Sequence, residues 1–266
     1  MLLPQHWAET IKLPVVHNID QNWSFPTLEQ LLLFAMRTCG EFCLKQNQGK
    51  INVILSGDLN SSVVLAMTRS QFPNANIQTF TIGSSLLHPA IIKSPLVARL
   101  YGTEHYLSIV AEKEIIKAKK EVRDAFGGQP NSERTLAYLL FKLMAKHGAR
   151  VVISDLGIDE LLGGYREHRE AKNEQEKKFV FENLWGVLPK KKLIPLEKEA
   201  AHWKIMVLFP YLQKQVVRII SRIPLSDRTT QGKTKKPLRL LAKKYGVPED
   251  VFEAVEKGLL DPSSKK

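Results

Sequence analysis

The chain has 266 residues, of which 44% are hydrophobic, so it can bury the core of one large domain or of two modest ones. It contains no apolar run of about eighteen residues and no signal-peptide pattern after Met1, so we expect neither a transmembrane helix nor a leader and predict a cytoplasmic protein. The net charge of +12 favours polyanions, either nucleotide phosphates or nucleic acid, although a solvated basic surface would give the same value.

Hydrophobic periodicity predicts strands that alternate with helices from residue 28 to residue 154. The predicted strands are 51–55, 78–82, 104–110 and 150–154. The predicted helices are 28–45, 60–67, 94–101, 111–125 and 132–147, the last with Ser132 as its N-cap. This alternation is typical of right-handed βαβ units, so we predict an α/β fold with a parallel sheet and helices on both faces. Cys39 and Cys43 lie on one predicted helix and are expected to be structural thiols.

Three parts are predicted along the chain. Residues 1–27 form an irregular N-terminal segment, since prolines interrupt them and no period is visible. Residues 28–170 form the α/β core. Beyond Tyr165 the strand signal fades, so residues 171–266 are predicted to be a helical C-terminal part of the same domain.

A loop of small and polar residues follows the first predicted strand. It consists of Ser56, Gly57, Asp58, Leu59, Asn60, Ser61 and Ser62. Backbone N–H groups, hydroxyls and the positive end of a following helix can together bind phosphate. No lysine closes the loop, so it is not the common G-x-x-x-x-G-K-[ST] phosphate loop. By itself the pattern is more typical of an ordinary turn with a Ser or Asn cap.

A second candidate segment follows the fourth predicted strand, from Ser154 to Tyr165. Asp159 and Glu160 are adjacent carboxylates, which can hold Mg²⁺ against phosphate oxygens, and paired glycines permit close backbone approach. A capped short helix with two solvated acids is the alternative. Ligands of open parallel sheets bind at the carboxyl ends of the strands, so both loops are predicted to form one nucleotide site.

These segments resemble motifs of the asparagine synthetase family. Residues 56–62 resemble its pyrophosphate loop, S-G-G-x-D-S-S, and residues 154–165 resemble its more distinctive S-G-E-G-x-D-E-x-x-G-G-Y segment. Further resemblances keep the same order along the chain, at 79–83, 102–106, 210–212, 235–239 and 248–251. Together they extend over nearly the whole sequence.

The resemblance implies an adenine nucleotide α-hydrolase-like fold that binds ATP and Mg²⁺, adenylates an aspartate-like carboxylate and passes the acyl group to an amine. Ammonia, or a partner glutaminase, would supply that amine, because Leu2 follows Met1 where a family glutaminase has its cysteine. The implied metal residues, acting through pyrophosphate, are Asp159 and Glu160. The implied nucleotide-binding residues are Ser56, Gly57, Asp58, Asn60, Ser61, Ser62, Ile82 and Gly157.

Several catalytic positions depart from the family pattern. Asp58 replaces a glycine and Asn60 an aspartate, so Asp58 would repel phosphate unless a metal bridges it or it replaces the acid lost at position 60. Leu156 replaces the glutamate that handles the amine, and an acid and an arginine are missing before Pro210. The catalytic lysine position holds a glutamate in strict register, so Lys257 would serve only with a shift of one residue.

Three functions remain open from the sequence. The first is an AMP-forming amide ligase of amino-acid metabolism, and the second is a lapsed enzyme kept as a nucleotide-binding or partner-binding subunit. The third and least favoured is a tRNA-modifying pyrophosphate-loop enzyme, suggested by the basic runs 190–192 and 233–236. No membrane partner is expected, and self-association is left open.

Overall fold

The computed structural model describes residues 6–16, 23–230 and 233–253. The strands are β1 (Lys50–Ile54), β2 (Asn76–Gly83), β3 (Glu104–Ile109), β4 (Val151–Ile153), β5 (Met206–Leu208), β6 (Thr229–Thr230) and β7 (Lys233–Thr234). The helices are α1 (Trp7–Thr10), α2 (Phe25–Gln46), α3 (Leu59–Gln71), α4 (Pro89–Leu100), α5 (Glu112–Phe126), α6 (Ser132–Lys146), α7 (Ile158–Leu162), α8 (Arg166–Glu170), α9 (Glu174–Leu188), α10 (Ile194–His202), α11 (Lys214–Ile220), α12 (Leu225–Arg228), α13 (Lys236–Lys244) and α14 (Glu249–Glu253). A π-helical turn, Pro189–Leu193, joins α9 to α10, and a 3₁₀ turn, Pro210–Leu212, follows β5.

The first five strands form one parallel sheet in the order β3-β2-β1-β4-β5, which confirms the predicted α/β sheet. The chain moves outward from β1 to β2 and β3, then returns to place β4 on the other side of β1. Right-handed crossovers therefore put α3 and α4 on one face and α5 and α6 on the other. The reversal makes the gap between β1 and β4 the topological switch point, where ligands of such sheets bind.

Capping side chains fix where several helices begin; α6 begins at the predicted residue with a different cap, whereas α4 begins earlier than predicted. Helix α6 is capped by Asn131, whose Oδ1 accepts the N–H of Arg134, and not by the predicted Ser132. Asn and Ser cap equally well, so the pattern did not distinguish them. Helix α4 begins at Pro89, five residues before the predicted start, because Pro95 lies inside the helix and not in its first turn.

The core is built from the strands and the inward faces of the helices around them. Val53, Phe80 and Ile153 are fully buried on three adjacent strands. Cys39 and Cys43 are buried and unpaired on α2, as expected of structural thiols, and burial raises the pKa of Cys39 to about 12. None of the helices in the described ranges combines the length and apolar character that crossing a bilayer requires.

The C-terminal part is mainly helical, as predicted, but it also contributes β5 to the main sheet and the small β6–β7 hairpin. β5 was not predicted, because the strand signal was judged to fade beyond Tyr165. The segment predicted to be irregular contains α1. Arg228, fully buried, ties this segment to the rest by donating to the carbonyls of Val15, Leu161 and Ser221.

Candidate functional site

Ser61 organises the loop that joins β1 to α3. Its hydroxyl lies 2.8 Å from Ser56 Oγ and donates to Asp58 Oδ1 at 2.8 Å, and its backbone N–H donates to the same Asp58 oxygen at 3.0 Å. Asp58 is therefore the N-cap of α3. The substituted carboxylate has a structural role in the loop, in addition to any contact it makes with a ligand.

Gly57 allows this loop to lie directly against α4. Its φ is +72°, and a Cβ at this position would stand 2.5 Å from the backbone nitrogen of Ser94. Only glycine fits both requirements. In the first turn of α3, Ser62 Oγ is buried and has no hydrogen-bond partner among the described residues. The loop thus has a fixed backbone and one hydroxyl left over for a ligand.

The second segment turns sharply from β4 into α7. Gly157 has a φ of +101°, and a Cβ there would lie 2.4 Å from Leu212 Cδ2, in the 3₁₀ turn after β5. This turn lets α7 begin immediately, which puts Asp159 and Glu160 in its first turn. Both carboxylates then sit beside the β1 loop, at the switch point of the sheet.

Lys235 joins the two loops. Its ammonium group lies 2.6 Å from Asp159 Oδ1 and donates to Asn60 Oδ1 at 2.9 Å, while Asn60 Nδ2 donates to Asp159 Oδ1 at 3.1 Å. These three side chains are hereafter the Asn60–Asp159–Lys235 bridge. Lys235 is only 2% exposed and has a φ of +57° at the start of α13, so the C-terminal part supplies a buried cation to the core.

Gly164 leaves the space that the bridge occupies. A Cβ at this position would stand 1.9 Å from Asp159 Oδ1 and 2.6 Å from Lys235 Cε. Contacts this short do not occur between real atoms, and the backbone nearby is held because Gly164 N–H donates to the carbonyl of Asp159 at 2.9 Å. The second glycine of the pair therefore permits the ion pair to form.

Glu160 lies at the side of the bridge with its own partners. Its Oε1 accepts the Tyr165 hydroxyl at 2.5 Å, and Lys192 lies 3.8 Å from the same oxygen and 2.6 Å from the Tyr165 hydroxyl. Lys192 comes from the predicted basic run, but it turns inward and is only 27% exposed, whereas Lys190 and Lys191 are exposed. The run is therefore not uniformly solvated.

The buried carboxyl groups of the site differ in how readily they ionise. Burial raises the pKa of Asp155 well above its usual range, and the nearby carboxylates of Asp58 and Asp159 raise it further. Burial also opposes ionisation of Asp159, but the Lys235 ammonium outweighs it and lowers the pKa of Asp159. Burial raises the pKa of Glu160, against the opposing charge of Lys192. Asp159 thus favours its ionised form, whereas Asp155 and Glu160 disfavour ionisation in the absence of a cation.

These residues fit a magnesium ion that arrives with phosphates. No group of three His, Cys, Asp or Glu side chains within the described ranges forms a ready metal site. Mg²⁺ is usually held by one or two carboxylates together with substrate phosphates, and Asp159 and Glu160 offer those carboxylates. Glu160 Oε2 is buried without a hydrogen-bond partner among the described residues, which leaves it available to a cation.

The structure brings together most of the residues that the sequence nominated. Those at the ends of β1 and β4 meet at one edge of the sheet, and Ile82 lies buried at the same edge, near the end of β2. Lys257 lies outside the described residues. The cations Lys235 and Lys192 were missed as site residues. A signal for Lys235 existed, since it opens the stretch that resembles the family's K-x-x-L-R pattern, but nothing in the sequence placed it beside Asp159.

Comparison with known proteins identifies the family. The family model described as "Asparagine synthase" matches residues 43–198 and 180–266. The chain is 28% identical over 199 residues to the human protein named "Asparagine synthetase [glutamine-hydrolyzing]", a match that covers 71% of this chain and 35% of that protein. A protein of the same name from Sandersonia aurantiaca is 24% identical over 182 residues, covering 64% of this chain and 34% of its own length.

Among solved structures, the chain is similar to the NMN synthetase of Francisella tularensis, with a TM-score of 0.39 and 12% identity, over 84% of this chain and 94% of that one. The NH3-dependent NAD synthetase of Campylobacter jejuni gives a TM-score of 0.38 and 12% identity, over 76% and 98%. The chain spans about a third of the length of the curated relatives it matches. Since the family model covers far more than half of the sequence, the chain belongs to the asparagine synthase family.

Proposed function

We propose that this chain is an asparagine synthetase-like, ATP-dependent and AMP-forming amide ligase domain, with Mg·ATP bound where β1 and β4 end. The observation that carries the proposal is the Asn60–Asp159–Lys235 bridge, which ties both family loops to one buried ammonium group. The unpartnered Ser62 hydroxyl could donate to a phosphate oxygen, and the unpartnered Glu160 carboxylate oxygen could bind a cation carried by the phosphates. Unpaired, buried thiols at Cys39 and Cys43 support a reducing, cytoplasmic setting.

The proposed reaction has two steps. A carboxylate oxygen of an aspartate-like substrate attacks the α-phosphorus of ATP, and pyrophosphate leaves. Ammonia then attacks the acyl carbon, and AMP leaves with the electron pair of the broken bond. Lys235 and Lys192 would neutralise phosphate charge at positions largely shielded from water, where such charges act most strongly. The β1 loop would orient the pyrophosphate through its N–H groups and hydroxyls.

Asp159 and Glu160 would hold the magnesium ion, which would neutralise the departing pyrophosphate. Asp159 is suited to this because Lys235 keeps it ionised. Glu160, whose pKa is raised by burial, would become a stronger ligand once a cation lowers the cost of its charge. Ammonia would come from solution or from a partner glutaminase.

A second function, a nucleotide-binding or partner-binding subunit without turnover, is favoured by Leu156. This side chain stands where the family has the amine-handling glutamate, and it packs partly against the hydrophobic core. It cannot accept a proton from ammonia. Binding of tRNA gains no support, because Lys192 and Lys235, one from each basic run, are engaged by Tyr165 and Asp159 within the candidate site.

The experiment that tests the proposal is calorimetric titration with Mg²⁺ and an ATP analogue that cannot be cleaved between the α and β phosphates. We expect one-to-one binding, weakened by roughly tenfold to a hundredfold in Lys235→Met, since hydrogen bonds to charged groups are each worth about 1.5–3 kcal/mol. Lys236→Met is the matched control, because this neighbouring lysine is exposed. Pyrophosphate release with aspartate and ammonium then separates the ligase from the inactive subunit.

No binding by the unaltered chain at millimolar nucleotide would overturn the ligase and the nucleotide-binding subunit and would leave only a partner-binding subunit. Equal loss in the two lysine variants would remove the role assigned to Lys235. Thermal unfolding of each variant by circular dichroism establishes that the fold is retained. Nucleotide binding without pyrophosphate release, over a panel of amino-acid carboxylates, would leave the second function standing.

A further inference from the structure

A polar cavity of about 220 Å³ lies at the amino-terminal ends of β1, β2 and β4, on the edge of the sheet opposite the candidate nucleotide site. The ends of α2 and α6 border it, and Lys50, Asn52, Gln78, His147 and Arg150 are among its lining residues. The volume is many times what a single water molecule needs. The cavity shares Gln46 and Arg150 with a wider depression of about 620 Å³ whose floor is partly apolar. This region is hereafter the amino-edge cavity.

A row of polar side chains crosses the sheet beneath the cavity. Asn52, Gln78 and Glu104 are direct register partners on β1, β2 and β3, so they lie on one face of the sheet. Asn52 and Gln78 are each only 1% exposed. Gln78 Nε2 donates to Glu104 Oε2 at 2.7 Å, which satisfies that amide nitrogen. Such a row is unusual in a buried sheet, where apolar side chains are the rule.

Asn52 presents an unsatisfied acceptor at this cavity. Its Nδ2 donates to the carbonyl of Val151 at 3.1 Å, which fixes the orientation of the amide. Its Oδ1 is buried and has no hydrogen-bond partner among the described residues. The neighbouring Asn47, by contrast, uses its Oδ1 to accept the N–H groups of Arg150 and Val151. Buried acceptors are rarely left unpaired, so Asn52 Oδ1 calls for a donor from a bound molecule.

Positive charge surrounds the same space. Lys50 is half-buried at the start of β1, and Arg150 precedes β4. Neither forms an ion pair with another described side chain. The His147 ring lies against Tyr106, with 3.7 Å between ring centroids, and completes this side of the cavity. These two cations outnumber the one nearby carboxylate, Glu104, which interacts with Lys50, and the surplus positive charge favours a ligand with a carboxylate or another anion.

The carboxyl ends of two helices add partial negative charge at the cavity. Helices α2 and α6 both finish at the cavity, with Asn47 and His147 as their C-caps. The carboxyl end of a helix carries partial negative charge and attracts cations. Together with Asn52 Oδ1, these ends favour an ammonium group. The cavity therefore combines features for an anion and for an N–H donor within one small volume.

We propose that the amino-edge cavity binds a free α-amino acid. Its carboxylate would pair with Lys50 and Arg150, its ammonium group would donate to Asn52 Oδ1, and its side chain would extend past Arg150 into the wider depression. A simple carboxylate such as acetate lacks a proton for Asn52 Oδ1, and a bare metal ion would be repelled by the cations. Strand β1 joins Lys50 at the cavity to Ser56 in the nucleotide loop, about 20 Å away at the rise of a strand, so an amino acid bound here is not a reactant at the nucleotide site.

The test is calorimetric titration of the full chain with each common amino acid, and with sodium acetate, methylammonium and inorganic phosphate as partial probes. We expect one or a few amino acids to bind more tightly than any partial probe. Lys50→Met should weaken that binding by roughly tenfold or more, which is the loss of one charge-assisted contact. Lys45→Met is the matched control, since this exposed lysine lies near the end of α2 and does not line the cavity.

Lys235→Met separates this cavity from the nucleotide site, because the amino acid should bind that variant with unchanged affinity. Equal binding of acetate or phosphate would overturn the amino-acid assignment in favour of a plain anion site. Absence of binding by every amino acid at millimolar concentration, or an unchanged affinity in Lys50→Met, would overturn the proposal. None of these outcomes depends on whether the chain binds ATP.

Discussion

The two loops at the carboxyl ends of β1 and β4 both depart from the family pattern, but their substitutions have different consequences. In the β1 loop, Asp58 caps α3 and Asn60 joins the bridge, so both substituted side chains form hydrogen bonds within the site. In the β4 loop, Leu156 puts an apolar side chain where a proton acceptor is expected, and it packs partly on the core. The half of the site assigned to phosphates therefore keeps its polar groups, whereas the half assigned to the amine has lost one.

The effect of a substitution on the site can be judged only together with the contacts that the new side chain makes. Asn60 is uncharged, yet it contacts both Lys235 and Asp159 and keeps the two loops together. An aspartate in its place would also accept from Lys235, but it would repel Asp159. The neutral amide thus allows one lysine to serve both loops. Further substitutions can break this arrangement or restore the proton acceptor that the β4 loop lacks.

Gly164→Ala should have the largest effect, since its Cβ would occupy the position of Asp159 Oδ1 and separate the ion pair. Breaking a buried pair costs about 3–5 kcal/mol, so we expect nucleotide affinity to fall by roughly a hundredfold or more, with lower thermal stability. Gly186→Ala is the control, because no atom lies within 4 Å of its Cβ position. Calorimetry and thermal unfolding provide the measurements. Wild-type affinity in Gly164→Ala would show that the bridge is dispensable for binding.

Leu156→Glu should restore a proton acceptor beside the proposed acyl intermediate. General base catalysis typically contributes about 10²–10⁴ in rate, so we expect ammonium-dependent amide formation to rise by roughly a hundredfold while nucleotide affinity stays constant. Leu156→Gln, similar in shape but unable to accept the proton, is the control. The rate of amide formation is measured by mass spectrometry. Equal rates in both variants and in the unaltered chain would contradict this prediction.

Asp58 can be tested for its two roles separately. Asp58→Ala removes the cap of α3 and should lower the free energy of unfolding by about 1 kcal/mol, whereas Asp58→Ser keeps a capping oxygen and most of that stability. If Asp58 also replaces the acid lost at position 60, both variants should bind Mg·ATP more weakly, by roughly tenfold. Titration with and without Mg²⁺ gives the answer. Unchanged affinity in Asp58→Ser would limit this residue to capping.

Asp155→Asn should have the smallest effect, on the pH dependence of stability. Burial and neighbouring carboxylates raise the pKa of Asp155 in the folded state. At a pH between the pKa values of the unfolded and folded states, the native chain therefore binds more protons than the unfolded chain. Stability from this group is therefore present at low pH and lost as pH rises through that window. In buffer without divalent cations, we expect Asp155→Asn to unfold roughly 2–4 °C higher than the unaltered chain at pH 8, the effect of about 1 kcal/mol.

The same two proteins should differ less at pH 5, where the native carboxyl group is more protonated. A Ser85→Ala variant on an exposed turn is a control for the scan, because its only described side-chain contact is a local one to the backbone of Leu87. An equal difference between the Asp155 proteins at both pH values would contradict the assignment of a raised pKa to this group.

The sequence by itself determined the parallel sheet, because the alternation of short β-rich runs with amphipathic segments is local and strong. It also determined both loops, since Ser56, Gly57, Asp159 and Glu160 follow strands whose ends must meet at one edge. The boundaries of β1 and α2 fell within a few residues of the predictions. The family resemblance depended on the same local patterns, and the family match agrees with it.

Only the tertiary structure decided which cation completes the site. Lys235 is 175 residues from Asn60 in the chain, and although it opens the K-x-x-L-R-like stretch, nothing local shows that it, and not the exposed Lys236 beside it, meets Asn60. Its selection depends on where α13 packs and on the left-handed backbone conformation at its start. The amino-edge cavity has the same origin, because Asn52 and Arg150 meet only when β1 and β4 become neighbours. Strand identity is encoded locally, whereas the pairing of distant charges follows from the packing of the whole chain.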